Sequence, residues 1–130
     1  MESDGPQFFC GLFCLYMKFS ESLKKNEDFR AVYHRGRSAA DRRLVVYCLE
    51  NGMEKNRLGI SASRKYGNSV ERHRFQRRIR EIYRLRENCF VRGIDLVVIA
   101  RTDAANSDYH ELEHSFEKLT SRLHAVGVDK

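Results

Sequence analysis

Residues 71–81 read ERHRFQRRIRE, with five arginines in eleven positions. A guanidinium is a planar, permanently charged fork whose paired N–H groups match a phosphate or a carboxylate. Nearby acids are few: Glu71, Glu81 and Glu87. Ion pairs along a helix therefore cannot absorb the charge. A charge run is most often a solvated face, and the scarcity of acids argues against that here. The chemistry on offer is capture of a polyanion by Arg72, Arg74, Arg77, Arg78, Arg80 and Arg84, with His73 among them. The preceding RKYGNS adds Arg64, Lys65 and Asn68, and backbone N–H groups at the start of a helix make a further anion site.

A second pattern competes. HELEH at 110–114 fits the H-E-x-x-H signature, in which two histidines share a zinc ion and the glutamate acts as general base. Such a site needs a third protein ligand and a cleft, and nothing in the chain stands out as that ligand. His110 and Glu111 flank the apolar Leu112, so the face that would hold metal is the exposed one. There is no glycine-rich nucleotide loop, nucleophile elbow or credible Cys–His pair. We read no catalytic residue and no metal site in the chain.

Local patterns define the elements that must position these groups. Residues 26–35 predict a helix, with Asn26 as cap, Gly36 as C-terminal glycine, and Phe29, Val32 and Tyr33 on one face. RRLVVYCLE (42–50) and RLGISAS (57–63) read as strands joined by a turn, hence as a hairpin. A weaker strand lies near Ser38–Ala40. A helix from about Val70 to Arg86, capped by Asn68 or Ser69, places Phe75, Ile79 and Ile82 on one stripe, with His73, Arg77, Arg80 and Arg84 opposite. GIDLVVIA (93–100) is apolar enough for a central strand buried on both faces. Tyr109, Leu112, Phe116, Leu119 and Leu123 recur at helical spacing over 108–124, capped by Ser107 or Asp108. The order is α-β-β-β-α-β-α, an α+β fold of helices against one mixed sheet.

At 130 residues with 42% hydrophobic content, one domain with an ordinary core is expected. The net charge of +6 is uneven: −2 over residues 1–17, +11 over 18–101 and −3 over 102–130. The basic centre calls for a nucleic acid or an anionic surface. The four cysteines show neither CxxC nor zinc-ribbon spacing, and free thiols in a reducing cytoplasm are expected. FFCGLFCLYM (8–17) follows acids, lacks a cleavage site and is too short to span a bilayer. Because MKFSESLKKNEDF from Met17 resembles an ordinary bacterial start, residues 1–16 are expected to be an extension outside the fold.

KYGNSVERHRFQRRIREIYR (65–84) resembles the signature of the bacterial ribonuclease P protein subunit, at Lys65, Gly67, Asn68, Val70, Arg72, Arg74, Arg77, Arg80 and Glu81. His73 stands where that family has Asn, and Gln76 where it usually has Lys. LKKNEDFRAVYHRGRS, VVYCLE, RLGISASRK and DLVVIAR are similar to its opening helix and strands, so the resemblance covers about 17–124, leaving 1–16 and the 125–130 tail. It implies a two-layer α/β sandwich with a left-handed β-α-β crossover around the arginine helix. It further implies a cytoplasmic ribonucleoprotein, with no membrane partner, that removes the 5′ leader of precursor tRNA. The RNA subunit and its Mg2+ ions would carry the catalysis, with one protein per RNA. The arginine helix and its loop would bind ribonuclease P RNA. The leader would lie in a cleft using Phe29, Tyr33 and Tyr47, where aromatic rings suit single-stranded bases.

Overall fold

The computed structural model describes residues 20–63 and 65–123. The elements are β1 (Ser20–Ser22), α1 (Asn26–Arg35), β2 (Arg37–Ala40), β3 (Leu44–Glu50), β4 (Asn56–Ser61), α2 (Ser69–Leu85), β5 (Ile94–Ala100) and α3 (Tyr109–Arg122), with short 3-10 turns at Glu87–Cys89 and Thr102–Asn106. The strands form one mixed sheet in the order β1-β4-β5-β3-β2. The expected α-β-β-β-α-β-α succession is present, preceded by β1, which the sequence reading missed. Ser20–Ser22 has no apolar alternation, and its pairing is a parallel one with the distant β4.

The expected hairpin between residues 42–50 and 57–63 does not form. β5 lies between the two strands, antiparallel to β3 and parallel to β4. Ile94 to Val98 are all buried, so this apolar strand needs partners on both edges and cover on both faces. Residues 51–55 instead cross the end of β5, where the Asn51 N–H donates to the Gly93 carbonyl at 2.8 Å. β4, α2 and β5 form a β-α-β unit with adjacent parallel strands.

Helices cover both faces of the sheet. α2 and α3 pack Phe75, Ile79, Ile82, Tyr83, Leu112, Phe116 and Leu119 on Leu44, Val46, Leu58, Leu96 and Val98. On the other face α1 sets Val32 and Phe29 against Leu23, Val97, Tyr47, Leu49 and Ile99. Alternation along the strands, two residues per repeat, divides them between the two cores.

The helix ends follow local chemistry. Asn68 Oδ1 accepts from the Glu71 N–H at 2.9 Å and Glu71 accepts from the Asn68 N–H at 3.0 Å, a reciprocal capping box. Asp108 and Glu111 repeat the arrangement on α3. At α1 the cap is Lys25, not Asn26, because the N–H groups of Asp28 and Phe29 both turn back to the Lys25 carbonyl. Gly36 ends α1 as expected, in an extended conformation with φ −79°. Its role is close approach: a Cβ there would meet the Val32 carbonyl oxygen at 2.5 Å and that of Cys48 at 2.9 Å.

Candidate nucleic-acid interface

The apolar stripe of α2 is completely buried, with Phe75, Ile79, Ile82 and Tyr83 at 0% exposure. That docking fixes the opposite face outward. His73, Arg74 and Arg77 are exposed, while Arg72, Arg78, Arg80 and Arg84 are partly so. Arg86, just beyond the helix, pins α2 to α3 through Glu113 at 2.7 Å and Glu117 at 2.9 Å.

Charge pairing separates two groups of arginines. Arg57 makes a two-pronged contact with the buried Asp95, at 2.8 and 2.7 Å, and reaches Asp28 of α1 at 3.2 Å. Arg43 holds Glu111 at 3.2 Å and Ser107 at 2.9 Å. Among the described residues, by contrast, Arg72, Arg74, Arg77, Arg78, Arg80 and Arg84 have no acidic partner within ion-pair distance. The Arg84 Nε is buried without a hydrogen-bond acceptor. Six cations on one helix without counter-charges form a strongly attractive surface for a polyanion.

The loop before α2 holds the other expected contacts. Lys65 is exposed, but Asn68 and the Glu71 carboxylate already satisfy one another at the helix start. Arg64 lies outside the described residues.

Phe29, Tyr33 and Tyr47 are brought together on the α1 face. The Phe29 and Tyr33 centroids are 6.3 Å apart, and those of Tyr33 and Tyr47 are 5.1 Å apart in an edge-on arrangement. Tyr33 keeps 39% exposure. Burial, then the neighbouring Tyr47, pushes the Tyr33 hydroxyl above its ordinary pKa. Beside the trio, Ala40, Val45, Ile99 and Ser61 lie in register as one row across four strands. All four are half-buried or exposed. The result is an aromatic wall beside a shallow sheet floor, which suits unpaired bases.

Gly59 is a residue that sequence reasoning missed. A Cβ there would stand 2.7 Å from the Phe29 ring, so glycine gives this ring its seat on the sheet. A lone glycine within an apolar strand was the available signal.

The H-E-x-x-H pattern has another use. Glu111 accepts from the Asp108 N–H at 3.0 Å and pairs with Arg43. Among the described residues no cluster of three or more His, Cys, Asp or Glu is placed to hold a metal. No described helix is long and apolar enough to cross a membrane.

The family model described as Ribonuclease P matches residues 17–124. The ribonuclease P protein component of Alkaliphilus metalliredigens is 41% identical over 110 residues, covering 85% of this chain and 99% of that protein. That of Lachnoclostridium phytofermentans is 44% identical over 107 residues, covering 82% and 91%. The RNase P protein structure from Staphylococcus aureus superposes with a TM-score of 0.77 at 34% identity, covering 82% of this chain and 97% of that one. The one from Thermotoga maritima gives 0.71 at 28%, covering 82% and 98%.

Proposed function

Since the chain belongs to the ribonuclease P protein family, and so is the protein subunit of a ribonucleoprotein endoribonuclease of tRNA processing, we propose that it works through two RNA contacts on opposite faces of its sheet. The arginine face of α2 binds the RNA subunit, with one protein per RNA. The aromatic wall of Phe29, Tyr33 and Tyr47 holds the single-stranded 5′ leader of precursor tRNA. The observation that carries this reading is a contrast among the arginines: Arg43, Arg57 and Arg86 are paired with acids, and among the described residues those along α2 are not.

The chain's part in the reaction is binding and orientation. Guanidiniums on phosphates neutralise backbone charge and release counterions, so assembly weakens as salt rises. Rings beneath the leader's bases fix its path without reading a particular sequence. Mg2+ held mainly by the RNA subunit supplies the activated water and the charge stabilisation of phosphodiester hydrolysis. Holding the leader adds binding energy for the precursor that mature tRNA lacks. The free, exposed Cys89 thiol is compatible with a reducing cytoplasm.

The test is 5′ cleavage of a precursor tRNA by a bacterial ribonuclease P RNA at low magnesium, with and without the protein. Strong stimulation is expected, and its loss in Arg77→Ala/Arg80→Ala. No stimulation by the folded protein with its own organism's RNA would refute the reading.

A further inference from the structure

Outside the leader-binding trio, two half-exposed tyrosines adjoin α2. Tyr109, at the far end, has Glu81 and Glu113 beside Arg86 and Arg84 as charged neighbours and packs edge-on against His110 at 5.9 Å. Arg86 there is already bound to Glu113 and Glu117. Tyr66, in the loop that feeds α2, is differently placed. Its ring lies 5.3 Å from Phe75, and it has the guanidiniums of Arg78 and Arg74 within electrostatic reach, together with Glu71.

Glu71 is engaged in the capping box, while Arg74 and Arg78 have no acidic partner among the described residues. Tyr66 is also anchored to the fold. Its N–H donates to the Ser63 carbonyl at 3.0 Å, and its ring rests partly buried on the α2–α3 core. A fixed aromatic surface loses little conformational freedom when a base stacks on it.

We propose that Tyr66 is a stacking platform for an unpaired base of the RNA subunit, at the end of the α2 arginine face. Phosphates on either side of that base would fall to Arg74 and Arg78. Tyr66 lies on the α2 side of the sheet, away from the aromatic wall of α1, which assigns its base to the RNA subunit and not to the leader. This inference rests on the reading of α2 as the RNA-subunit contact.

The chain has no tryptophan, so Tyr66→Trp introduces a unique reporter. Its fluorescence should be quenched when the RNA subunit binds and unaffected by a short leader oligonucleotide. Tyr66→Leu, which still covers Phe75, should weaken RNA-subunit binding by roughly 5- to 150-fold. It should leave the salt dependence unchanged, because no phosphate contact is lost. Tyr66→Phe should bind like the parent. An unquenched Trp in an RNA complex demonstrated by gel shift would overturn the proposal, as would quenching by the leader alone. Parental affinity in Tyr66→Leu, with Arg77→Ala/Arg80→Ala weakened, would reduce Tyr66 to packing. If Arg77→Ala/Arg80→Ala also bound normally, the α2 reading itself would fail.

Discussion

Tyr33 divides its surface between the core and solvent, which is what the proposed leader contact needs. Its ring edge meets Tyr47 at 5.1 Å, yet 39% of the residue stays exposed. Replacing Tyr33 or Tyr47 with Ala removes a stacking surface. Holoenzyme affinity for precursor tRNA should fall by about 1–3 kcal/mol per base contact, while affinity for mature tRNA should hold. Equal losses for both substrates would rule out leader contact. Asp41 illustrates a purely structural residue. Burial raises its pKa, but the N–H groups of Leu44 and Arg43, with Ser115 and Lys118, outweigh that and bring it from 3.8 to about 2. Because the folded-state value is depressed, the stabilisation is fully present above pH 4 and is lost as pH falls through about 2. Chemical denaturation between pH 5 and 2 should show a drop in stability that Asp41→Asn flattens.

At the scale of elements, what was legible followed locality. α2 and α3 announce themselves through caps and a 3.6-residue apolar stripe, and both capping boxes form where Asn68 and Asp108 stand. Strand partners are not written locally. β3 and β4 follow one another with a turn between, yet β5 separates them, because its burial requires two neighbours. Among the described residues β1 lies on the sheet edge, paired only with β4, and three polar residues give no hint of it. The arginine face was readable from periodicity, whereas its lack of acidic partners needed the tertiary structure. The aromatic trio came from family resemblance, and its seat on Gly59 from neither. Gly59→Ala places a methyl group 2.7 Å from the Phe29 ring. The clash should destabilise the protein by about 1–3 kcal/mol and displace the wall above it. A lower urea midpoint with weakened precursor binding is expected, and no change in either would mean the ring shifts freely.

For the whole molecule, the sheet keeps the two proposed RNA contacts apart. α1 with its aromatic wall occupies one face, and α2 with its arginines packs on the other. Substitutions at sites that share no partners have additive effects. Arg77→Ala/Arg80→Ala should weaken assembly with the RNA subunit and flatten its log–log salt dependence by about one unit per lost phosphate contact. Tyr33→Ala should change the substrate affinity of the assembled enzyme and leave assembly alone. In the combined variant, measured once at RNA concentrations that saturate assembly and once across a salt series, each change should persist at its single-variant size, within about 0.5 kcal/mol. An assembly defect deepened by Tyr33→Ala would show that the leader wall also touches the RNA subunit. A leader defect that disappears in the arginine variant would show that α2 sets the position of the wall. Independence of the two losses is what the proposal of one RNA contact on each face of the sheet requires.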